Sequence, residues 1–287
     1  MRSSLLVLSL LSSALIQDAY QRATVAFQRG YFIEVLSLLA ELPEQEADRP
    51  APHNLRALAL AELGRYGEAL AANKRARELD PSNINYVYNR GLILIAKEDF
   101  QQAERVFRDA IDRFPQSSRL YQGLGETLYR LTRFKEAESW LREAVQADPT
   151  NGPAHIALAR LFYALGDRED YGSAASKAIQ LDPENYLACY YYGLWLLEVQ
   201  GKFSEGSNYI GKSIELYPRF VDGLKAWGGV LSRQGRWDEA ARTYEKAVAL
   251  DLRNAQLYYL LAIAYHKLGE QGKAERAVEE YRRLAKP

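Results

Sequence analysis

Prolines divide this chain at a constant interval. Asp80-Pro81, Phe114-Pro115, Asp148-Pro149 and Asp182-Pro183 follow one another 34 residues apart, Tyr217-Pro218 arrives 35 later, and Asp251-Leu252 completes a further step of 34 without its proline. A proline cannot continue a helix, because it lacks the backbone N–H and its ring collides with the preceding turn. Evenly spaced prolines therefore mean evenly spaced helix ends, and self-similarity at this period marks an array whose units pack mainly on their neighbours. One unit, Leu120 to Pro149, reads LYQGLGETLYRLTRFKEAESWLREAVQADP. Tyr121, Leu124, Gly125 and Leu128 mark one helical face and Ala137, Leu141 and Ala144 another, so the spacing predicts two amphipathic helices joined by a turn near residues 131–133.

The same template runs through most of the chain. Small residues recur in the first helix as Ala57, Gly91, Gly125, Ala159, Gly193, Gly228 and Ala262. In the second helix they recur early as Ala69, Ala103, Ala137, Ala240 and Ala274, and late as Ala76, Ala110, Ala144, Ala178 and Ala247. An aromatic follows the turn as Phe32, Tyr66, Phe100, Phe134, Phe203 and Trp237. Small residues let helices approach closely and aromatics fill the wedge between them. A helix-turn-helix of this length and pattern resembles the tetratricopeptide repeat, TPR. The resemblance implies an all-α, right-handed superhelical solenoid of stacked repeats, about eight copies counting a weak first one. Residues 15–49 then hold that degenerate repeat and an exposed, proline-rich connection, and 50–287 hold an array of about seven repeats. Two repeats depart from the pattern. The fifth has Tyr171 in an alanine place, followed by Gly172 and Ser173, which predicts a weakened helix. The sixth has an extra residue near 199–201 and carries Gly206, Gly211 and Ser213, which predicts looser packing.

Arg2 followed by SSLLVLSLLSSALI has the build of a secretory leader, with Ser12 and Ala14 as the small residues before a cleavage site after Ala14. The apolar run 5–16 is well short of the roughly 20 residues that span a bilayer. Cleavage of residues 1–14 would make this an exported protein of bacterial type, periplasmic or extracellular, whereas an uncleaved leucine-rich segment would cap the first repeat of a cytoplasmic one. Acids and bases balance at 37 each, which removes the usual motive for proposing nucleic acid and leaves room only for a local patch. Cys189 is the single cysteine, so neither an internal disulfide nor a thiolate metal cluster can form.

Stacked helical pairs enclose a concave groove, and in the TPR family its lining comes from the first helix of each pair. Carried over repeat by repeat, the resemblance puts Asn54, Leu58, Asn85, Tyr88, Asn89, Arg119, Gln122, Glu126 and Tyr129 on that lining. Further along it puts Arg160, Tyr163, Tyr190, Tyr191, Lys225, Arg233, Tyr259 and His266 there. Tyr and Arg combine contact area with a polar handle and dominate binding hot spots, so these residues are expected to hold a peptide or helix of a partner protein. Asn54 and Leu58 stand where a carboxylate clamp would start with Lys and Asn, which argues against capture of C-terminal tails. No phosphate loop, HExxH or nucleophile elbow is present, and His266 has no paired ligand in the sequence. The expectation is a non-catalytic interaction scaffold without cofactor or metal. Self-association through terminal repeats or the convex face is the alternative, and an accessory role in an enzyme a third reading.

Overall fold

A computed structural model describes residues 19–285; the expected leader at 1–14 lies outside them. All regular structure among the described residues is helical. The chain divides after Asn151 into two compact units. In the first, α1 (residues 19–28) pairs with α2 (Phe32–Ala40), and α3 (Glu44–Ala47) leads to the hairpin of α4 (Pro50–Glu62) and α5 (Tyr66–Leu79). Two more hairpins follow, α6 (Ile84–Ala96) with α7 (Phe100–Arg113), and α8 (Ser118–Arg130) with α9 (Phe134–Ala147). The second unit stacks α10 (Gly152–Leu165) with α11 (Arg168–Leu181) and α12 (Tyr186–Glu198) with α13 (Phe203–Leu216). It continues with α14 (Val221–Arg233) and α15 (Trp237–Leu250), then α16 (Ala255–Lys267) and α17 (Gln271–Leu284). This is the expected TPR solenoid fold.

Each hairpin turns through a residue in the left-handed region. Gly30, Gly64, Gly166, Gly201, Gly235 and Gly269 occupy it with φ between 65° and 79°, and at the same repeat position Glu98 and Thr132 adopt φ of 64° and 58°. The backbone closes a Schellman cap around them: Thr132 N–H donates to the Tyr129 carbonyl at 2.9 Å and Arg133 N–H to the Leu128 carbonyl at 2.9 Å. The aromatic that follows is the first residue of the second helix, as Tyr66, Phe100, Phe134, Phe203 and Trp237 show. The repeated small residues are all buried, and they face large ones. A Cβ on Gly91 would fall 2.1 Å from Phe107, and one on Gly123 of the next repeat 2.5 Å from the same ring. Phe107, fully buried, is thus clamped between two glycine backbones.

Two local expectations need correction and one, the exposed connection, gains a detail. The proline-rich connection contains the short helix α3, and Pro50 opens α4, where a missing N–H costs nothing. The residue that caps α3 is tied down, with Asp48 accepting from Arg75 Nε at 2.9 Å and Nη2 at 2.6 Å. In the fifth repeat α11 is continuous, because Gly172 makes room for a large neighbour: a Cβ there would meet Trp195 Nε1 at 2.3 Å. In the sixth, the glycines bring backbones together, with a Cβ on Gly206 lying 2.8 Å from the Gly193 carbonyl oxygen. That packing is close, not loose, since two residues without side chains permit helix contact at the main chain. The extra residue is taken up after α12, where Gly201 turns the chain with φ 65°.

Candidate functional site

In the first unit the first helices α4, α6 and α8 lie side by side, and residues one repeat apart meet across them. Asn89 Nδ2 donates to Asn54 Oδ1 at 2.9 Å. Arg119 Nη1 donates to Asn85 Oδ1 at 2.7 Å while its guanidinium lies 4.6 Å from the centre of the Tyr88 ring. Tyr88 Oη donates to Gln122 Oε1 at 2.9 Å, and Gln122 Nε2 donates onward to Glu126 Oε2 at 3.3 Å. Tyr129 packs its ring against Phe134 at 5.6 Å between centres. Two of these bonds, Arg119 to Asn85 and Tyr88 to Gln122, join positions 34 residues apart, so the helical stacking itself brings residues of like register into reach.

The ladder separates residues that shape the surface from residues that present it. Tyr88 and Gln122 are 8% and 5% exposed, whereas Asn85 and Arg119 are exposed and Asn89, Glu126 and Tyr129 half-buried. Burial pushes the Tyr88 phenol up, with the nearby Arg119 charge opposing. It is a neutral donor at physiological pH, and the cationic and amide groups at the surface are Arg119 and Asn85.

In the second unit tyrosines concentrate on α10, α11 and α12. Tyr163, 40% exposed, packs 5.4 Å from Tyr171 and 6.4 Å from Tyr191, and Tyr190 packs 5.1 Å from Tyr191 and 4.9 Å from Phe220. Tyr190 and Tyr191 are themselves buried, and Tyr171 Oη donates to the Tyr191 carbonyl at 2.5 Å. Burial pushes the Tyr163, Tyr171 and Tyr190 phenols up from their ordinary value. Glu198, at the end of α12, is pushed up by burial and opposed by the charge of Arg233. Arg160 is half-buried on α10 and Arg233 exposed on α14. Lys225 is held by Asp222 Oδ1 at 3.1 Å and reaches Gln256 Oε1 at 3.5 Å.

The two remaining candidates lie apart from the tyrosine cluster, on the last hairpin. Tyr259, half exposed and packed 5.5 Å from Tyr281, lines with His266 a cleft of about 930 Å³ between α16 and α17. Tyr171 and Phe220 belong to the aromatic cluster although the repeat register did not single them out. The signal for Tyr171 was in the sequence: a ring where the repeat has alanine. Cys189 is buried and its Sγ donates to the Pro183 carbonyl at 3.4 Å, a packing contact. No group of three His, Cys, Asp or Glu that could hold a metal ion occurs among the described residues. No helix among them is long and apolar enough to cross a membrane.

Known proteins place these repeats. Residues 88–152 and 50–72 match models of the tetratricopeptide repeat, and 228–269 match a TPR repeat model. The chain is a tetratricopeptide-repeat protein, a class whose general use is as a scaffold for protein–protein interaction. It is 33% identical over 85 residues to a TPR repeat-containing protein of Methanocaldococcus jannaschii, an overlap covering 30% of this chain and 15% of that one. Its fold matches a chain of the APC/C hetero-tetramer Cut9–Hcn1 at a TM-score of 0.75 and 15% identity, covering 92% of this chain and 52% of that one. It matches Pseudomonas aeruginosa PilF at 0.61 and 19% identity, over 70% and 91% of the two chains. Yeast Tom70 matches at 0.55 and 22% identity, over 89% of this chain and 55% of that one. At these identities the likeness to the solved structures is one of fold.

Proposed function

We propose that this protein is a non-catalytic scaffold that holds an extended or helical segment of a partner protein along the inner faces of its first helices. The observation that carries this reading is the register ladder of the first unit. Asn54, Asn85, Asn89 and Arg119 stand on successive helices, interlocked through amide and guanidinium groups, and present donors and acceptors at one-repeat intervals. A peptide main chain repeats its own donors and acceptors, so such a surface suits it, and half-buried Tyr129 adds aromatic area there, as exposed Tyr163 does separately within the second unit. Crosslinking and pull-down from the native host tests it. Variants Arg119→Ala, Tyr129→Ala and Tyr163→Ala are expected to lose partners that the unaltered chain retains, and an unchanged partner list sinks the groove.

Self-association is the second reading, favoured by the open cleft of the last hairpin, where Ile263 is 36% exposed beside Tyr259 and Val278. Light scattering of Ile263→Glu would show a lowered mass if this surface joins copies. The site of action belongs to the same proposal: export if residues 1–14 are cleaved, the cytoplasm if not. N-terminal sequencing of protein from the host distinguishes the two.

A further inference from the structure

A second polar site lies away from the ladder. Residues of α5, α6 and α7 enclose a cleft of about 510 Å³ with Leu70 and Leu94 among its apolar lining and Lys74, Arg77, Arg90, Glu78 and Gln102 as its polar groups. The one carboxylate in that lining is already engaged, with Glu78 ion-paired to Lys74 Nζ and to Arg75 Nη1, each at 3.7 Å. Gln102 is engaged as well, its Nε2 donating to Asp99 Oδ2 at 2.8 Å. Arg77 and Arg90 are both half-buried, and neither has an ion-pair or hydrogen-bond partner among the described residues. Their neighbour Arg113 turns its Nη2 to the Pro81 carbonyl at 3.2 Å, adding a third guanidinium close to Arg77.

This arrangement is costly as it stands. Partial burial lowers the hydration of a guanidinium, and like charges in one cleft repel; both effects act on Arg77, whose proton is weakened by burial and by the charges of Arg90 and Arg113. Helical repeats offer many places for an arginine to reach water, so two that converge unpaired over an apolar floor mark a place where an anion completes the structure. The charge count indicates which anion. Three cations against one carboxylate leave the lining with an excess of two positive charges. A carboxylate ligand neutralises half of that; a phosphomonoester, at close to two negative charges and three acceptor oxygens, neutralises it and fits the guanidinium fork. We propose that this cleft binds a phosphomonoester dianion, received by Arg77 and Arg90 with Lys74 at its edge.

The site is independent of the ladder, so the groove can fail and this site stand. Calorimetric titration of the full chain with phenyl phosphate and with benzoate, at fixed ionic strength and neutral pH, tests it. Phenyl phosphate is expected to bind at least tenfold more tightly than benzoate, and to lose at least tenfold in Arg77→Gln and in Arg90→Gln while Arg242→Gln leaves binding unchanged. Equal affinity for the two ligands, or binding that survives both substitutions, overturns the proposal. Folding gives a separate readout: in phosphate-free buffer the two variants should melt no lower than the unaltered chain, because repulsion is relieved. A lower melting point would make the arginines structural and overturn the assignment. A phosphoserine peptide binding more tightly than phenyl phosphate assigns the source to a partner protein, and equal affinity assigns it to a free phosphorylated compound.

Discussion

At the scale of single residues, the turn position shows how a rule of backbone sterics becomes a stability difference. An L-residue in the left-handed region crowds its Cβ against the following carbonyl at a cost of about 1–2 kcal/mol, which glycine avoids. Six turns of the array use glycine there, while Glu98 and Thr132 do not. Thr132→Gly should therefore raise stability by about 1 kcal/mol after its larger unfolded-state entropy is counted, measured by urea unfolding. Gly235→Ala should lower it by a similar amount. Buried glycines answer to a different constraint. Gly91→Ala would press a methyl onto the Phe107 ring, which Gly123 blocks from retreating, and should cost about 1–3 kcal/mol. Both kinds of glycine recur in the sequence. What the sequence did not separate is which were needed for φ and which for space.

At the scale of elements, the fifth and sixth repeats show that irregular sequence can be compensated packing. Tyr171 departs from the alanine pattern, yet its ring joins Tyr163 and its hydroxyl satisfies the Tyr191 carbonyl. Gly172 beside it admits Trp195 of the next first helix. Gly172 is intelligible only with Trp195, because a large residue in one helix requires a missing one in its neighbour. Gly172→Ala should thus destabilise α11 and α12 together by about 1–3 kcal/mol, seen as faster hydrogen exchange in both while α8 and α9 are unaffected. Tyr171→Phe should cost about 1 kcal/mol through the lost hydrogen bond. That α4, α6 and α8 lie side by side was legible from repeat register alone. Burial of Tyr88, Gln122, Tyr190 and Tyr191 was not, since identical register positions differ in what the next repeat places over them.

At the scale of the whole molecule, zero net charge conceals many specific ion pairs. Hydrogen bonds from Arg75 and His53 hold the Asp48 carboxyl down to about 2, and Arg65, Arg133 and Arg236 lower Glu68, Glu136 and Glu239. For a carboxylate whose folded pKa lies below its unfolded value, stabilisation is complete above the unfolded value near 4 and is lost as pH falls through the folded one. The melting temperature should accordingly drop between about pH 4 and pH 2, and Asp48→Asn should flatten that drop. Glu198 runs the other way, its raised carboxyl favouring the fold slightly as it takes up a proton. Added salt should shrink these differences, because the pairs are largely exposed and therefore screened.

The amino-acid order by itself determined the repeat, the helix pairs, the small residues at their crossings and the family they belong to. Those follow from local rules of periodicity and chain breaking that each 34-residue unit states again. Only the tertiary structure decided which groove candidates are reachable, why the glycines of the sixth repeat tighten it, and that Arg77, Arg90 and Arg113 from different helices converge without a carboxylate for Arg77 or Arg90. Helical period places a side chain on a face of its own helix. Exposure and partners depend on what neighbouring helices bring to that face, which no single unit's sequence contains.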